Sequence, residues 1–236
     1  MIRPVSSPPR PRTSARPPVV RLPGVYPPQD DTALLIAGLE LLDLHPQTRL
    51  LDVCTGTGAV AVAASVAGAG RVEAVDSCRR AVWSARLNAA VRGAAVRVRR
   101  GDAAAYDGTY DVIVGNPPYV PAVDAGPPRG AARAWDAGLD GRALIEPLCR
   151  RLPQMLTASG TLMLVQSELA DIDRTVDALA AQGLTVTVPL TRRIPFGPVL
   201  RGRERDLIRD GRIAPGSRSE TIAVIRADRP SHWPSR

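Results

Sequence analysis

From Gln29 to Asp43 the apolar residues Ala33, Leu34, Ile36, Ala37, Leu41 and Leu42 recur at helical spacing, and Asp30 or Asp31 can accept from the free amides of the first turn. The spacing predicts a helix that closes before Pro46. Beyond it, short apolar runs alternate with helical segments: strand 49–54, a helix from Ala59, strand 71–76, helix 78–92, strand 96–100 and strand 110–115. A helix around 142–157, strand 160–166, helix 168–182 and strands 184–190 and 220–226 complete the pattern. Strands separated by helices of this length imply right-handed crossovers and a mostly parallel seven-stranded sheet covered on both faces. The predicted class is α/β, doubly wound. Residues 191–219 set the final strand apart from its predecessor, an arginine-rich insertion with room for a short helix near 199–210.

Composition narrows this frame. A chain of 236 residues can bury roughly 70% of its unfolded surface without staples. No apolar run approaches the roughly 20 residues of a membrane-spanning helix, so no membrane association is expected. Cys54, Cys78 and Cys149 are far apart and odd in number, which offers neither a disulfide framework nor a zinc motif and suits a reducing cytoplasm. With only His45 and His232, a histidine base or a histidine metal cage is not expected, and no metal is assigned. Residues 1–24 carry five arginines, no acid and many prolines, the composition of a disordered or extended tail, and 228–236 form a short C-terminal tail. Removing the tails reduces the net charge of +8 to +2 for residues 25–227. That near-neutral body favours solvated surface charge over a dedicated nucleic-acid groove.

Candidate chemistry gathers after two strands. In LLDVCTGTGAVAVA the first strand runs into Gly56, Thr57 and Gly58 before a helix, where glycines allow close approach of a ligand and the helix start supplies free N–H donors. Asp76 ends the next strand twenty residues beyond Gly56, placed to accept from ribose hydroxyls. A nicotinamide cofactor and S-adenosylmethionine both fit that much. Two features favour the second: Asp52 can face the ammonium of a methionine moiety where a diphosphate would be repelled, and Asp102 can accept from an adenine amino group, though it also suits a simple turn. The second segment is DVIVGNPPYV, in which Asn116 follows a buried strand and is held by Pro117 and Pro118, with Tyr119 next. Prolines of fixed φ make this a rigid platform that projects an amide and a backbone carbonyl into the crevice.

Asn116-Pro117-Pro118-Tyr119 resembles the NPPY signature of class I S-adenosylmethionine-dependent methyltransferases that modify planar nitrogens, either a glutamine amide or the amine of adenine. Two further segments narrow the resemblance, which spans roughly 25–227. Val25 to Thr32, followed by Leu34 and Leu35, is similar to the VYEPxEDTxLL segment of the HemK-like branch that methylates release factors in eukaryotes and archaea. Ala134 to Arg142 resembles that branch's AWxGGxxGR stretch. The resemblance implies a Rossmann-like sheet with an antiparallel last strand and S-adenosylmethionine as cofactor. It further implies that Asn116 and the Pro117 carbonyl hold the target NH₂ with Pro118 beside them, that Tyr119 packs against its plane, that Tyr26, Asp31 and Thr32 close the site around cofactor and target, and that Tyr26, Thr32 and Asn116 also contact the cofactor. Pro27 stands where the family has glutamate, Asp136 and Ala137 interrupt the AWxGG run, and the 191–219 insertion is longer than usual. The expected partner is a protein substrate such as a release factor or ribosome-associated protein, with a small activating subunit as in the eukaryotic relatives. Competing readings are an adenine amino-group methyltransferase acting on DNA or RNA, a small-molecule N-methyltransferase with 120–133 as a lid, and a non-catalytic binding module.

Overall fold

The computed structural model describes residues 19–124 and 126–230, so positions 1–18 and 231–236 of the expected tails lie outside the described residues. Helix α1 (Asp30–Leu39) precedes strand β1 (Arg49–Val53), followed by α2 (Ala59–Val66), β2 (Arg71–Asp76), α3 (Arg79–Val91), β3 (Val96–Arg100) and β4 (Tyr110–Gly115). The second half runs α4 (Ile145–Arg151), β5 (Leu156–Ser167), α5 (Ile172–Ala180), β6 (Thr185–Pro195), α6 (Pro198–Gly202), α7 (Glu204–Arg209) and β7 (Ser219–Asp228). The sheet order is β3-β2-β1-β4-β5-β7-β6. All pairings are parallel except those of β7, which is inserted antiparallel between β5 and β6. The doubly wound sheet with its antiparallel last strand is therefore present.

Central strands read as near-continuous apolar runs because both their faces are covered. On one side Leu34, Leu35, Val60, Ala64, Val82 and Ala85 from α1, α2 and α3 close over Leu50, Val72 and Val114. On the other, Ile145, Leu148 and Leu179 from α4 and α5 cover Leu51, Ile113, Leu162 and Leu164. Each fully buried leucine or isoleucine contributes roughly 1.5–3 kcal/mol.

Several boundaries differ from the sequence pattern for local reasons. The helix expected over 168–182 breaks at Asp171, whose φ of +59° ends a single 3₁₀ turn and whose carboxylate then caps α5 at the Arg174 N–H, 3.0 Å away. Pro153 turns the end of the 142–157 helix into a 3₁₀ turn, and β5 begins at Leu156 rather than 160. Because β6 continues to Pro195, the insertion shortens to 196–218, and its helix is broken in two at Arg203. Phe196, Leu200 and Leu207 give that insertion a small core of its own, packed on Val120 and Leu169. Residues 20–22, which composition placed in the N-terminal tail, lie along α3. The Val20 N–H donates to Asn88 Oδ1 at 2.8 Å and the Leu22 N–H to Ser84 Oγ at 3.1 Å.

Candidate active site at the carboxyl edge of the sheet

The chain leaves β1 in one direction through β2 and β3, then returns to β4 on β1's other side. Loops diverge at such a switch point and leave a crevice beyond the strand ends, where ligands of open α/β sheets bind. A cavity of about 940 Å³ opens there, lined by every residue expected to hold cofactor or target except Gly58.

Gly58 works from behind. Its φ is +79°, and a Cβ at this position would stand 2.9 Å from Ala85 Cβ, so the glycine is what lets α2 approach α3. Gly56 (φ +55°) faces open space, since a Cβ there would meet nothing nearer than the Cys54 carbonyl at 4.0 Å. Cys54 itself is held at φ +57°, a left-handed conformation uncommon outside glycine, and burial pushes its thiol well up. The loop is pinned by acids. Asp76 accepts from the Gly56 N–H at 3.0 Å and the Cys78 N–H at 2.8 Å; burial raises its carboxyl and these two bonds pull it back. Asp52 accepts from Thr55 Oγ1 at 2.5 Å and the Ala61 N–H at 3.1 Å, and burial lifts its carboxyl from 3.8 to about 7. Asp102 accepts from the Ala104 N–H at 2.9 Å and so forms the turn that was one of its two readings. A carboxylate has about four acceptor positions, so each acid keeps capacity for a ligand.

Across the cavity, one carboxylate organises the other wall. Asp31, only 2% exposed on the first turn of α1, presents Oδ2 to three donors at 3.0 Å each: Tyr26 OH, Tyr119 OH and Asn116 Nδ2. Its Oδ1 accepts from the Thr32 N–H at 2.6 Å. Burial first, then the Asp31 charge, push both phenols up, so the tyrosines stay protonated donors. A carboxylate only accepts, so it turns the NH₂ end of Asn116 toward itself and leaves Oδ1 as the end free to face elsewhere. Glu220, on β7, is a second buried carboxyl here. Burial and the Asp31 charge lift it to about 7, and its Oε2 has no hydrogen-bond partner among the described residues.

The methyltransferase small domain model matches residues 18–127. A protein of Methanocaldococcus jannaschii, provisionally named a protein N5-glutamine methyltransferase, is 30% identical over 74% of this chain and 88% of its own length. The chain belongs to the HemK-like protein N5-glutamine methyltransferase family. A release factor glutamine methyltransferase of Mycolicibacterium smegmatis is 34% identical over 68% of this chain, which spans only 60% of that longer relative. Among solved structures, the E. cuniculi Mtq2–Trm112 complex responsible for methylation of the eRF1 termination factor superposes with a TM-score of 0.60 at 22% identity, over 88% of this chain and 99% of that one, a likeness of fold.

Two features read from the sequence as departures from the family pattern, Asp136 and the insertion, touch in the fold. Asp136, which interrupts the AWxGG run, lies 2.6 Å from the Arg203 guanidinium of the insertion, and the same arginine donates to the Pro121 carbonyl at 2.7 Å. The Val120 N–H and carbonyl pair with Trp135 O and the Ala137 N–H. The 134–142 stretch, the loop after the Asn-Pro-Pro-Tyr corner and the insertion are thereby tied together over the cavity. Arg142, 1% exposed, anchors the far end, donating to Glu146, the Ala170 and Asp171 carbonyls and Thr175. Two residues carried no usable sequence signal. Arg203 is one of many arginines in its segment. Asn88 sits mid-helix, yet its amide donates to the Thr57 carbonyl at 2.9 Å and the Val20 carbonyl at 2.8 Å, clamping the glycine turn to the N-terminal segment.

Proposed function

We propose that this methyltransferase transfers the methyl group of S-adenosylmethionine to the side-chain amide nitrogen of a glutamine in a protein, acting in the cytoplasm on a release factor or a ribosome-associated protein. The observation that carries the reading is the Asp31 contact that fixes the Asn116 amide at the rim of the same cavity that holds Gly56 and Asp76.

The residues present fit the cofactor. The cavity has the size of a small-ligand site. Gly56 leaves an open backbone cradle. Asp76 and Asp102 can accept from ribose and adenine, and Asp52 can balance an ammonium group. When bound, S-adenosylmethionine supplies an electrophilic methyl carbon on a sulfonium. An amide nitrogen is a poor nucleophile because its lone pair is delocalised, so alignment is the protein's main task, and orientation of this kind supplies roughly 7–11 kcal/mol. In the proposed arrangement Asn116 Oδ1 and the Pro117 carbonyl accept the two N–H bonds of the target. That turns the nitrogen lone pair toward the methyl carbon and stabilises positive charge as it develops. Tyr119 packs beside the amide plane, while Pro118 keeps the corner stiff. A small activating subunit is the second partner proposed, on the precedent of the two-protein E. cuniculi complex.

The test is mass spectrometry of proteins and nucleic acids from a lysate incubated with the chain and labelled S-adenosylmethionine, beginning with release factors. The label is expected on a glutamine side chain. Label on adenine, or on a small molecule alone, overturns the assignment.

A further inference from the structure

Two cavity-lining segments far apart in sequence, the glycine turn after β1 and the approach to α1 at Gly24, Val25 and Tyr26, are joined by one side chain on α3. Asn88, 6% exposed, donates from Nδ2 to the Thr57 carbonyl at 2.9 Å and to the Val20 carbonyl at 2.8 Å, and its Oδ1 accepts from the Val20 N–H at 2.8 Å. Thr57 stands between the two glycines of the turn and itself lines the cavity. Packing of α3 on the turn does not account for this amide. Only one of its three bonds serves the turn, and the other two hold the N-terminal segment.

Residues 20–23 follow α3 in the opposite direction. Val20 meets Asn88, the Leu22 N–H donates to Ser84 Oγ at 3.1 Å, and Arg80 Nη1 donates to the Pro23 carbonyl at 3.1 Å. Positions 80, 84 and 88 are four apart, so these anchors lie along one side of the helix. The Val25 N–H then closes a turn on the Leu22 carbonyl at 3.1 Å, and Tyr26 continues to its bond with Asp31. Val25 is buried, whereas Val20, Arg21, Pro23 and Gly24 are exposed and Leu22 is half-buried. Hydrogen bonds rather than apolar burial thus attach this segment ahead of Val25. Such a segment can open locally while the core stays folded.

We propose that residues 20–24 form a strap whose closure on α3 is coupled to binding of S-adenosylmethionine, and that Asn88 is the positioning residue that joins strap and glycine turn. With the strap attached, the wall at Gly24, Val25 and Tyr26 stays beside the turn; with the strap released, that wall loosens and the cofactor leaves sooner. The inference rests on the cofactor reading given above. It does not depend on the identity of the methyl acceptor.

The experiment uses the full chain with S-adenosylmethionine as the probe and reads calorimetric affinity together with amide hydrogen exchange. A ligand that binds only the attached form slows exchange through strap opening by one plus the ratio of its concentration to Kd. At ten times Kd, exchange of the Val20 and Leu22 amides should slow about tenfold, and slowing of less than about threefold overturns the proposal. Val20→Pro with Leu22→Pro removes both N–H donors from the strap and leaves α3 and the glycine turn as they are. Affinity scales with the fraction of chains whose strap is attached, so this variant should bind at least about threefold more weakly, the loss reached when that fraction falls to about one third. Asn88→Ala should lose at least as much, and the combined variant should lose less than the product of the separate losses. Affinity of the proline variant within about threefold of the natural chain would reduce Asn88 to a brace for the glycine turn and overturn the proposal. So would losses that multiply. Failure of the natural chain to bind S-adenosylmethionine would instead remove the cofactor reading, and the strap's role with it. Circular dichroism checks folding, and the proline variant, whose changes lie outside the core, carries the test if Asn88→Ala does not fold.

Discussion

Replacing Asp31 by asparagine changes neither size nor shape, yet the site should lose most of its turnover. The carboxylate receives Tyr26, Tyr119 and Asn116 on Oδ2 at 3.0 Å each and the Thr32 N–H on Oδ1 at 2.6 Å. An amide has one accepting end. If its oxygen takes the Oδ2 position, its NH₂ confronts the Thr32 N–H; if it takes Oδ1, the NH₂ confronts the NH₂ of Asn116, and the two tyrosine hydroxyls must turn to accept. A hydrogen bond to a charged group contributes about 1.5–3 kcal/mol, so releasing Asn116 from it lowers the population of the correctly turned amide roughly 10- to 150-fold. Single-turnover transfer of labelled methyl should therefore slow by about 10- to 100-fold in Asp31→Asn. Calorimetric affinity for S-adenosylmethionine should stay within about threefold, because the acids that pin the glycine turn are untouched. Transfer within twofold of the natural enzyme would refute the idea that Asp31 sets the orientation of Asn116.

The remaining predictions concern the frame of the site. Gly58→Ala forces a Cβ to 2.9 Å from Ala85 at φ +79° and should destabilise the protein by about 2–4 kcal/mol in urea unfolding; an unchanged midpoint would contradict the close packing of α2 on α3. Arg203→Ala leaves Asp136, only 12% exposed at its side chain, without its 2.6 Å partner and should cost about 2–4 kcal/mol, while adding Asp136→Ala should recover part of that loss in a double-mutant cycle. Asp52 holds a proton up to about pH 7 in the folded chain but only to 3.8 as an ordinary carboxylate. The folded state thus binds more protons between those values, and this group's contribution to stability falls as pH rises through that window and levels off above it. Urea midpoints of Asp52→Asn measured from pH 5 to 8 should fall less steeply than those of the natural chain; parallel slopes would show that Asp52 does not titrate there.

What the sequence revealed divides by range. The glycine turn and the Asn-Pro-Pro-Tyr corner were legible because each is a local device, a few adjacent residues whose backbone preferences decide where the chain turns. The sheet was legible because strands buried on both faces leave unbroken apolar runs. Contacts made by single polar atoms across the chain were not. Asp31 reaches Asn116 and Tyr119 from 85 and 88 positions away. Family resemblance pointed to these residues without showing that one oxygen joins them. Asp136 and Arg203 read separately as departures, and only the fold makes them a pair. Asp102 carried two readings on one turn: its bond to the Ala104 N–H realises that of a turn-former, and the residue also lines the cavity. Asp171 looked like any polar helix residue; its left-handed break coincides with an Arg142 guanidinium, 29 residues away, donating to its carbonyl at 2.8 Å.

The most direct measurement compares Asn116→Ala with the natural chain in single-turnover methyl transfer to the identified protein substrate, alongside calorimetric binding of S-adenosylmethionine. Loss of one preorganised acceptor should slow transfer by about 10² to 10³ while cofactor affinity stays nearly unchanged. Near-normal transfer by the variant would contradict the account, since the target amide would then be held by something other than this corner.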